Sequence, residues 1–250
     1  MTKLSSLDKC LQLIDLLTEN THGLSLSELS GMTGFPKSTI HHILSTLRGH
    51  DYVDQNAETK RYFLGFKFLS VSSKILSGLD IRKTAFAHLR ELHQKCRETV
   101  NLYILRNGRI TLIDKIQKVG GLSLDTYVGF STEPHAAASG KVLLSGRSRD
   151  EIRDMYRGKR LKGYGPRTIT SMERLLDELD EIRRQGFAID DEEYYEGVRC
   201  VAAPVRAGGK VVAALSITGS IFAVPLERVQ GELKDLAVGT ANEISSQLRW

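Results

Sequence analysis

Ser25-Leu26-Ser27-Glu28-Leu29-Ser30, Met32-Thr33-Gly34-Phe35 and Pro36-Lys37-Ser38-Thr39-Ile40-His41-His42-Ile43-Leu44 form the stretch on which the reading of this chain turns. Ser-x-x-Glu over residues 25–28 is a capping box that starts a helix. Gly34 sits in a turn, and Pro36 suits a first helical position because its missing N–H is not needed there. Beyond it, Ile40, Ile43, Leu44 and Leu47 recur at helical spacing on one face, while Lys37, Ser38, His41, Ser45 and Arg48 share the other. Two short helices around a glycine-bearing turn make a helix-turn-helix, whose second helix is shaped to lie in the major groove of DNA. That points to regulation before the rest of the chain is considered.

Outward from this stretch, Leu4, Leu7, Leu11, Ile14 and Leu17 mark an earlier helix ending near Glu19-Asn20. Downstream, Tyr52-Val53-Asp54 and Arg61-Tyr62-Phe63-Leu64-Gly65 flank the polar turn 55–59, which predicts a hairpin. Directly after a recognition helix, such a hairpin is a wing carrying Lys60 and Arg61 towards phosphates or a minor groove. Residues 66–79 read as a connecting helix, with a break at Gly78.

The 250 residues suit two domains, and apolar and charged fractions of 41% and 26% are ordinary for a soluble protein. No apolar run approaches the roughly 18 residues of a membrane span, and the N-terminus lacks a signal-peptide pattern, so a cytoplasmic protein without membrane contact is expected. Cys10, Cys96 and Cys200 are too few and too scattered for a disulfide framework or a metal pair. The net charge of +5 does not come from the helix-turn-helix. Residues 1–80 carry 8 Lys/Arg against 8 Asp/Glu, whereas residues 81–164 carry 17 against 8. Local placement of Lys37, Arg48, Lys60, Arg61 and the histidines therefore supports DNA binding; bulk charge does not. The run Arg147, Arg149, Arg153, Arg157, Lys159, Arg160, Lys162 reads as a solvated face, with an anion site as the alternative.

In the second half, residues 99–105 and 109–116 are strand-like around Asn107-Gly108, a strong hairpin signal. A second hairpin spans 198–205 and 210–218 across Ala207-Gly208-Gly209, and residues 187–190 form a short strand. Helices are expected over 81–93, 139–145, 149–156, 172–185 and 226–248. Antiparallel hairpins with separate helices define an α+β domain whose sheet is covered on at least one face.

These blocks together resemble the IclR family of bacterial transcriptional regulators over nearly the whole chain. The N-terminal blocks are Leu24-Ser25-Leu26-Ser27-Glu28-Leu29, Pro36-Lys37-Ser38-Thr39-Ile40 and Lys60-Arg61-Tyr62-Phe63-Leu64-Gly65. The C-terminal blocks are Pro134-His135-Ala136-Ala137-Ala138-Ser139-Gly140-Lys141, Gly186-Phe187-Ala188-Ile189-Asp190, Glu196-Gly197-Val198-Arg199-Cys200-Val201-Ala202-Ala203-Pro204-Val205 and Ala213-Ala214-Leu215-Ser216-Ile217-Thr218-Gly219. The resemblance implies a winged helix-turn-helix over 1–65, a linker helix over 66–79 and a GAF-like effector-binding domain over 80–250. It also implies a homodimer, often paired into a dimer of dimers, and a repressor more often than an activator; no cofactor is expected. The chain departs from the family at His42, where arginine is frequent.

Candidate DNA contacts are Ser27, Lys37, Ser38, Thr39, His41, His42, Arg48, Lys60 and Arg61. Lys37 at a helix N-terminus favours phosphate, while Ser38 and Thr39 could serve only the helix start. For the effector, the resemblance places pocket-lining residues at Asp190, Cys200, Ser216 and Thr218 and backbone donors at Ala138, Ser139 and Gly140. Ser216 and Thr218, two apart on a strand, face one side. The class implied is a small organic acid or aromatic compound. Arg106, Arg109 and Arg199 are alternative anion anchors. His135, Asp190 and Cys200 could also compose a Cys-His-Asp triad or zinc site, but no nucleophile elbow, phosphate loop or paired-histidine motif accompanies them. A ligand-independent DNA-binding scaffold is the third reading.

Overall fold

The computed structural model describes residues 5–120 and 124–248, in two compact units, 1–78 and 79–250. The first unit opens with α1 (Ser6–Glu19), capped by a Ser5/Asp8 box. α2 (Leu26–Thr33) follows with the Ser25/Glu28 box in place, and Gly34 closes it in the left-handed conformation, φ 71°. α3 (Lys37–Gly49) starts one residue later than expected: Pro36 is its N-cap, not its first helical residue, because its ψ of 138° is extended. Ile40, Ile43 and Leu44 of α3 join Leu13, Leu17, Leu29, Val53 and Tyr62 in one small core. β1 (Val53–Gln55) and β2 (Tyr62–Leu64) pair antiparallel as the wing. α4 (Lys67–Ser77) completes the unit and buries none of its residues.

The second unit is built on a six-stranded antiparallel sheet in the order β5-β4-β3-β8-β7-β6. Its strands are β3 (Thr99–Arg106), β4 (Arg109–Ile116), β5 (Ser131–Thr132), β6 (Ala188–Asp191), β7 (Val198–Ala207) and β8 (Lys210–Ser220). Asn107 and Gly108, with φ of 51° and 75°, make the β3–β4 turn. Gly208 and Gly209 make the β7–β8 turn with φ of 54° and 77°. Positive φ at both central residues matches the twist of the flanking strands.

Helices cover both faces, one more than the sequence required. α5 (Asp80–Cys96) and α10 (Lys234–Gln247) pack on one face against Val100, Leu102, Val201, Ala203, Val205, Leu215 and Ile217. α6 (Ala138–Ser145), α7 (Arg149–Met155) and α8 (Met172–Gln185) cover the other. The continuous terminal helix expected over 226–248 is interrupted. A short α9 (Leu226–Arg228) passes through a π-helical turn, Val229–Leu233, into α10, and Gly231 at φ −99°, ψ −105° leaves helical geometry there. The strand β5 and a 3-10 turn, Pro134–Ala136, carry no periodicity long enough to read from sequence.

Candidate functional site

Two surfaces carry chemistry. The first is the outer face of α3. Lys37, Ser38, His41, His42 and Arg48 are exposed and Thr39 is half-buried, opposite the face that fills the core. Lys37 Nζ donates to Ser27 Oγ at 2.8 Å, which joins the start of α3 to α2. Arg48 donates to Gln55 Oε1 at 2.9 Å, and Gln55 Nε2 donates to the Lys60 carbonyl at 3.0 Å. This chain of contacts ties the end of α3 to the wing tip. Asn56 Oδ1 orders that tip by accepting from the N–H groups of Glu58 and Thr59.

Arg61 does not join this surface. Its Nε donates to the Gly23 carbonyl at 3.1 Å and its guanidinium pairs with Glu28 at 2.9 Å. Glu28 also accepts from the Ser25 N–H at 2.7 Å. The Ser25 amide and hydroxyl, with Arg61, hold its carboxyl down at about 2. Arg61 is thus a strut between the wing and α2.

The second surface is a cavity between the polar face of the sheet and α6. Register explains its composition. Asp190 lies opposite Cys200, Cys200 opposite Thr218, and Thr218 opposite Thr99, in one row across β6, β7, β8 and β3. The next row runs Ala202, Ser216, Asn101, Lys115. Apart from Lys115 these side chains are short where the other face carries Val, Leu and Ile, and the helices on this face leave a cavity beside them. About 60 Å³ remains for the centres of water-sized spheres, room for several waters. Phe130, Tyr194, Tyr195, Leu124 and Thr126 complete the wall.

The structure brings Ala138, Ser139, Asp190, Cys200, Ser216 and Thr218 together around this cavity. Gly140 is absent from its lining. A Cβ there would lie 2.0 Å from the Pro134 carbonyl oxygen, so Gly140 is required by close packing against Pro134. Ala137 caps α6 without a side-chain hydrogen bond, and the first main-chain bond into the helix comes from Lys141 N. The amides ahead of it have no helical acceptor. Asn101, Tyr103, Lys115, Tyr194 and Tyr195 also line the cavity. Sequence reasoning missed them. Only strand alternation from Thr99 could have flagged Asn101 and Tyr103.

The electrostatics are uneven. Asp190 is 3% exposed and accepts from the Glu193 N–H at 2.8 Å. Burial, then repulsion from Glu193, pushes its carboxyl up to about 7. Beneath it lies Lys141, 1% exposed, whose ammonium donates to Glu193 at 2.5 Å, Glu178 at 3.1 Å and the Ile189 carbonyl at 2.7 Å. Burial opposes that charge, but Glu193 and Glu178 outweigh it and hold the ammonium above its ordinary range. Lys115 Nζ donates to the Thr126 carbonyl at 2.7 Å and its hydroxyl at 3.1 Å, and burial lowers its ammonium. Lys118 is paired with Glu98. Arg109 is bonded to the Ser131 carbonyl, and Arg199 to Asp191 and the Val224 carbonyl, so neither is an open anion anchor.

The alternative chemistry finds no geometry. His135 is fully buried, with Nε2 at 2.8 Å from the Lys162 carbonyl, and it packs on Tyr156 and Tyr164. Enclosure, reinforced by Asp190, raises the Cys200 thiol, the reverse of an activated nucleophile. In the basic run, Arg147, Arg149, Arg153 and Arg157 are ion-paired with neighbouring carboxylates, as a solvated face requires.

A winged helix-turn-helix unit with an α+β unit that encloses a polar-lined cavity defines a DNA-binding regulator with an effector domain. The chain belongs to the IclR family. Residues 6–57 match the IclR helix-turn-helix domain, and residues 73–246 match the C-terminal domain of bacterial transcriptional regulator IclR. It is 35% identical to the HTH-type transcriptional regulator KdgR of Escherichia coli K12 over 245 residues, covering 98% of this chain and 92% of KdgR. The crystal structure of Thermotoga maritima IclR superposes with a TM-score of 0.81 at 29% identity, covering 97% of this chain and 98% of that one. An IclR homologue from Microbacterium hydrocarbonoxydans, crystallised with 4-hydroxybenzoate, shares the fold at a TM-score of 0.80 and 21% identity, covering 97% and 100%. The relatives are regulators, a family that is not enzymatic. Among the described residues no helix is long and apolar enough to cross a membrane.

Proposed function

We propose that this chain is a repressor whose operator affinity is set by a small organic or aromatic acid held in the sheet cavity. The observation that carries this reading is the composition of the cavity. Lys115 and the uncapped start of α6, at Ala138 and Ser139, offer positive potential to a carboxylate. Ser216, Thr218 and Asp190 offer hydroxyl and carboxyl groups, and Phe130, Tyr194 and Tyr195 offer aromatic surface. A carboxyl pushed up to about 7 carries less charge near neutral pH, which lets Asp190 face an anion. The ligand seen in the Microbacterium homologue belongs to the same chemical class.

DNA contact is assigned to Ser27, Lys37, Ser38, Thr39, His41, His42, Arg48 and Lys60. The exposed polar face of α3 and its tie to the wing support this. Exposed Leu7 and Leu11 on α1, with Leu69 and Ile75 on α4, support a second copy of the chain as the partner of the first unit. A homodimer, or a dimer of dimers, would present paired recognition helices to a near-palindromic operator. The helix over 66–79 is assigned the role of linker. An effector that prefers one conformation of the dimer shifts operator affinity, typically by about 5- to 150-fold.

A thermal-shift screen of the full chain against small carboxylates, sugar acids and aromatic acids tests the effector. A ligand at 100 times its Kd stabilises by about 2.7 kcal/mol. A hit that also weakens binding to an operator fragment selected from genomic DNA supports the reading. Hits that leave DNA affinity unchanged argue against effector control, and a reporter that falls when the chain is deleted argues against repression.

A further inference from the structure

We propose that Asn101 is a specificity-determining residue, whose side-chain oxygen selects effectors bearing a hydroxyl or N–H donor over those carrying only hydrocarbon at that point. The inference rests on reading the cavity as the effector site.

Asn101 stands on β3 with Ser216 opposite it on β8 and Lys115 opposite it on β4. It is 4% exposed and lines the cavity. Its Nδ2 donates to Thr218 Oγ1 at 3.2 Å and to Ser216 Oγ at 3.5 Å. The Thr218 hydroxyl in turn donates to Cys200 Sγ at 3.3 Å. A hydroxyl has one proton to give. With that proton directed at the sulfur, Thr218 presents only lone pairs to Asn101, so the amide nitrogen must face it. The opposite orientation would set two acceptors against each other. The amide nitrogen is turned towards Thr218 and Ser216, and the other end of the amide is its oxygen. Asn101 Oδ1 is buried and has no hydrogen-bond donor among the described residues. Its neighbour Lys115 is already engaged at the Thr126 carbonyl and hydroxyl.

A buried acceptor left without a donor costs free energy that a partnered one does not. The cavity that Asn101 lines has room for water in the unliganded protein. A ligand that displaces this water with a C–H leaves the oxygen dry and unpartnered; one that brings an O–H or N–H replaces it in kind. Sites built to bond a substrate hydroxyl discriminate strongly against the analogue lacking it, because the protein group is stranded. The orphan acceptor thus works by rejection as much as by attraction.

The test is isothermal titration of the full chain with matched pairs: lactate and propionate, 3-hydroxybutyrate and butyrate, 4-hydroxybenzoate and benzoate. The expected result is that in at least one pair the hydroxylated acid binds at least about tenfold more tightly. Asn101→Leu should then bring the two members within about threefold. Asn101→Asp keeps an oxygen at that position; its charge lowers the affinity of both members alike, and the gap persists. Equal binding of both members of every bound pair in the wild type overturns the proposal, whether or not the variants fold. So does a gap that survives in Asn101→Leu. If no acid of either kind binds, the effector reading fails and this inference with it, an outcome distinct from binding without discrimination.

Discussion

The two faces of the six-stranded sheet are made from alternate residues of the same strands, yet they do different things. On β8, Ala213, Leu215 and Ile217 enter the core beneath α5 and α10, while Ala214, Ser216 and Thr218 face α6. On β7, Val201, Ala203 and Val205 alternate with Cys200 and Ala202 in the same way. The first face is apolar and largely branched, and it carries a packed core. The second combines an apolar core under α6 and α8 with short and polar side chains around the cavity. One face is given over to a packed core, while the other divides between a core and a polar-lined cavity.

Four outcomes would break or sharpen that contrast. The largest effect is expected at Lys141, the charge buried under the face that holds the cavity. Lys141→Met strands Glu193 and should destabilise by about 3–5 kcal/mol in urea unfolding, as loss of one member of a buried ion pair does. On the filled face, Leu215→Ala should cost about 2–5 kcal/mol. A loss below about 1 kcal/mol would mean that this face is not the packed one.

Asp190 gives a pH signature. Its folded carboxyl titrates at about 7 against an ordinary 3.8. Between these values the folded state retains a proton that the unfolded state has lost, so Asp190 makes stability fall as pH rises from about 4 to about 7. Above that range the penalty is constant. Asp190→Asn removes it, so the variant's advantage over the wild type should grow across this window to the order of 2–4 kcal/mol. Parallel unfolding curves at pH 4.5 and 7.5 would contradict the placement of that carboxyl. The smallest effect on folding belongs to Ser216→Ala, which should shift stability by less than about 1 kcal/mol. The same variant should weaken the effector response and leave operator binding intact. A folded Ser216→Ala protein that no longer binds DNA would overturn the division of labour between the units.

The helix-turn-helix was legible because capping chemistry and helical periodicity are local. Ser25, Glu28, Gly34 and the Ile40/Ile43/Leu44 stripe announce themselves within a turn or two. The hairpins were legible for the same reason, since Asn107-Gly108 and Gly208-Gly209 state their turn type. The pairing of Arg61 with Glu28 was not legible because the two lie 33 residues apart. Gly140 was read as a donor when its constraint is the Pro134 backbone.

By itself the sequence determined most of the elements, their order and the side of each long strand on which a residue falls, because these follow from local geometry and a two-residue period, and its motif blocks carried the family. Only the tertiary structure decided which side chains share a cavity and which charges are already spent. Strand register set Asp190, Cys200 and Thr218 in one row and Asn101 beside Ser216, and no local rule couples residues more than 100 positions apart. Burial then decided the chemistry: it raised Asp190, kept the Cys200 thiol protonated and left one oxygen of Asn101 buried without a donor among the described residues.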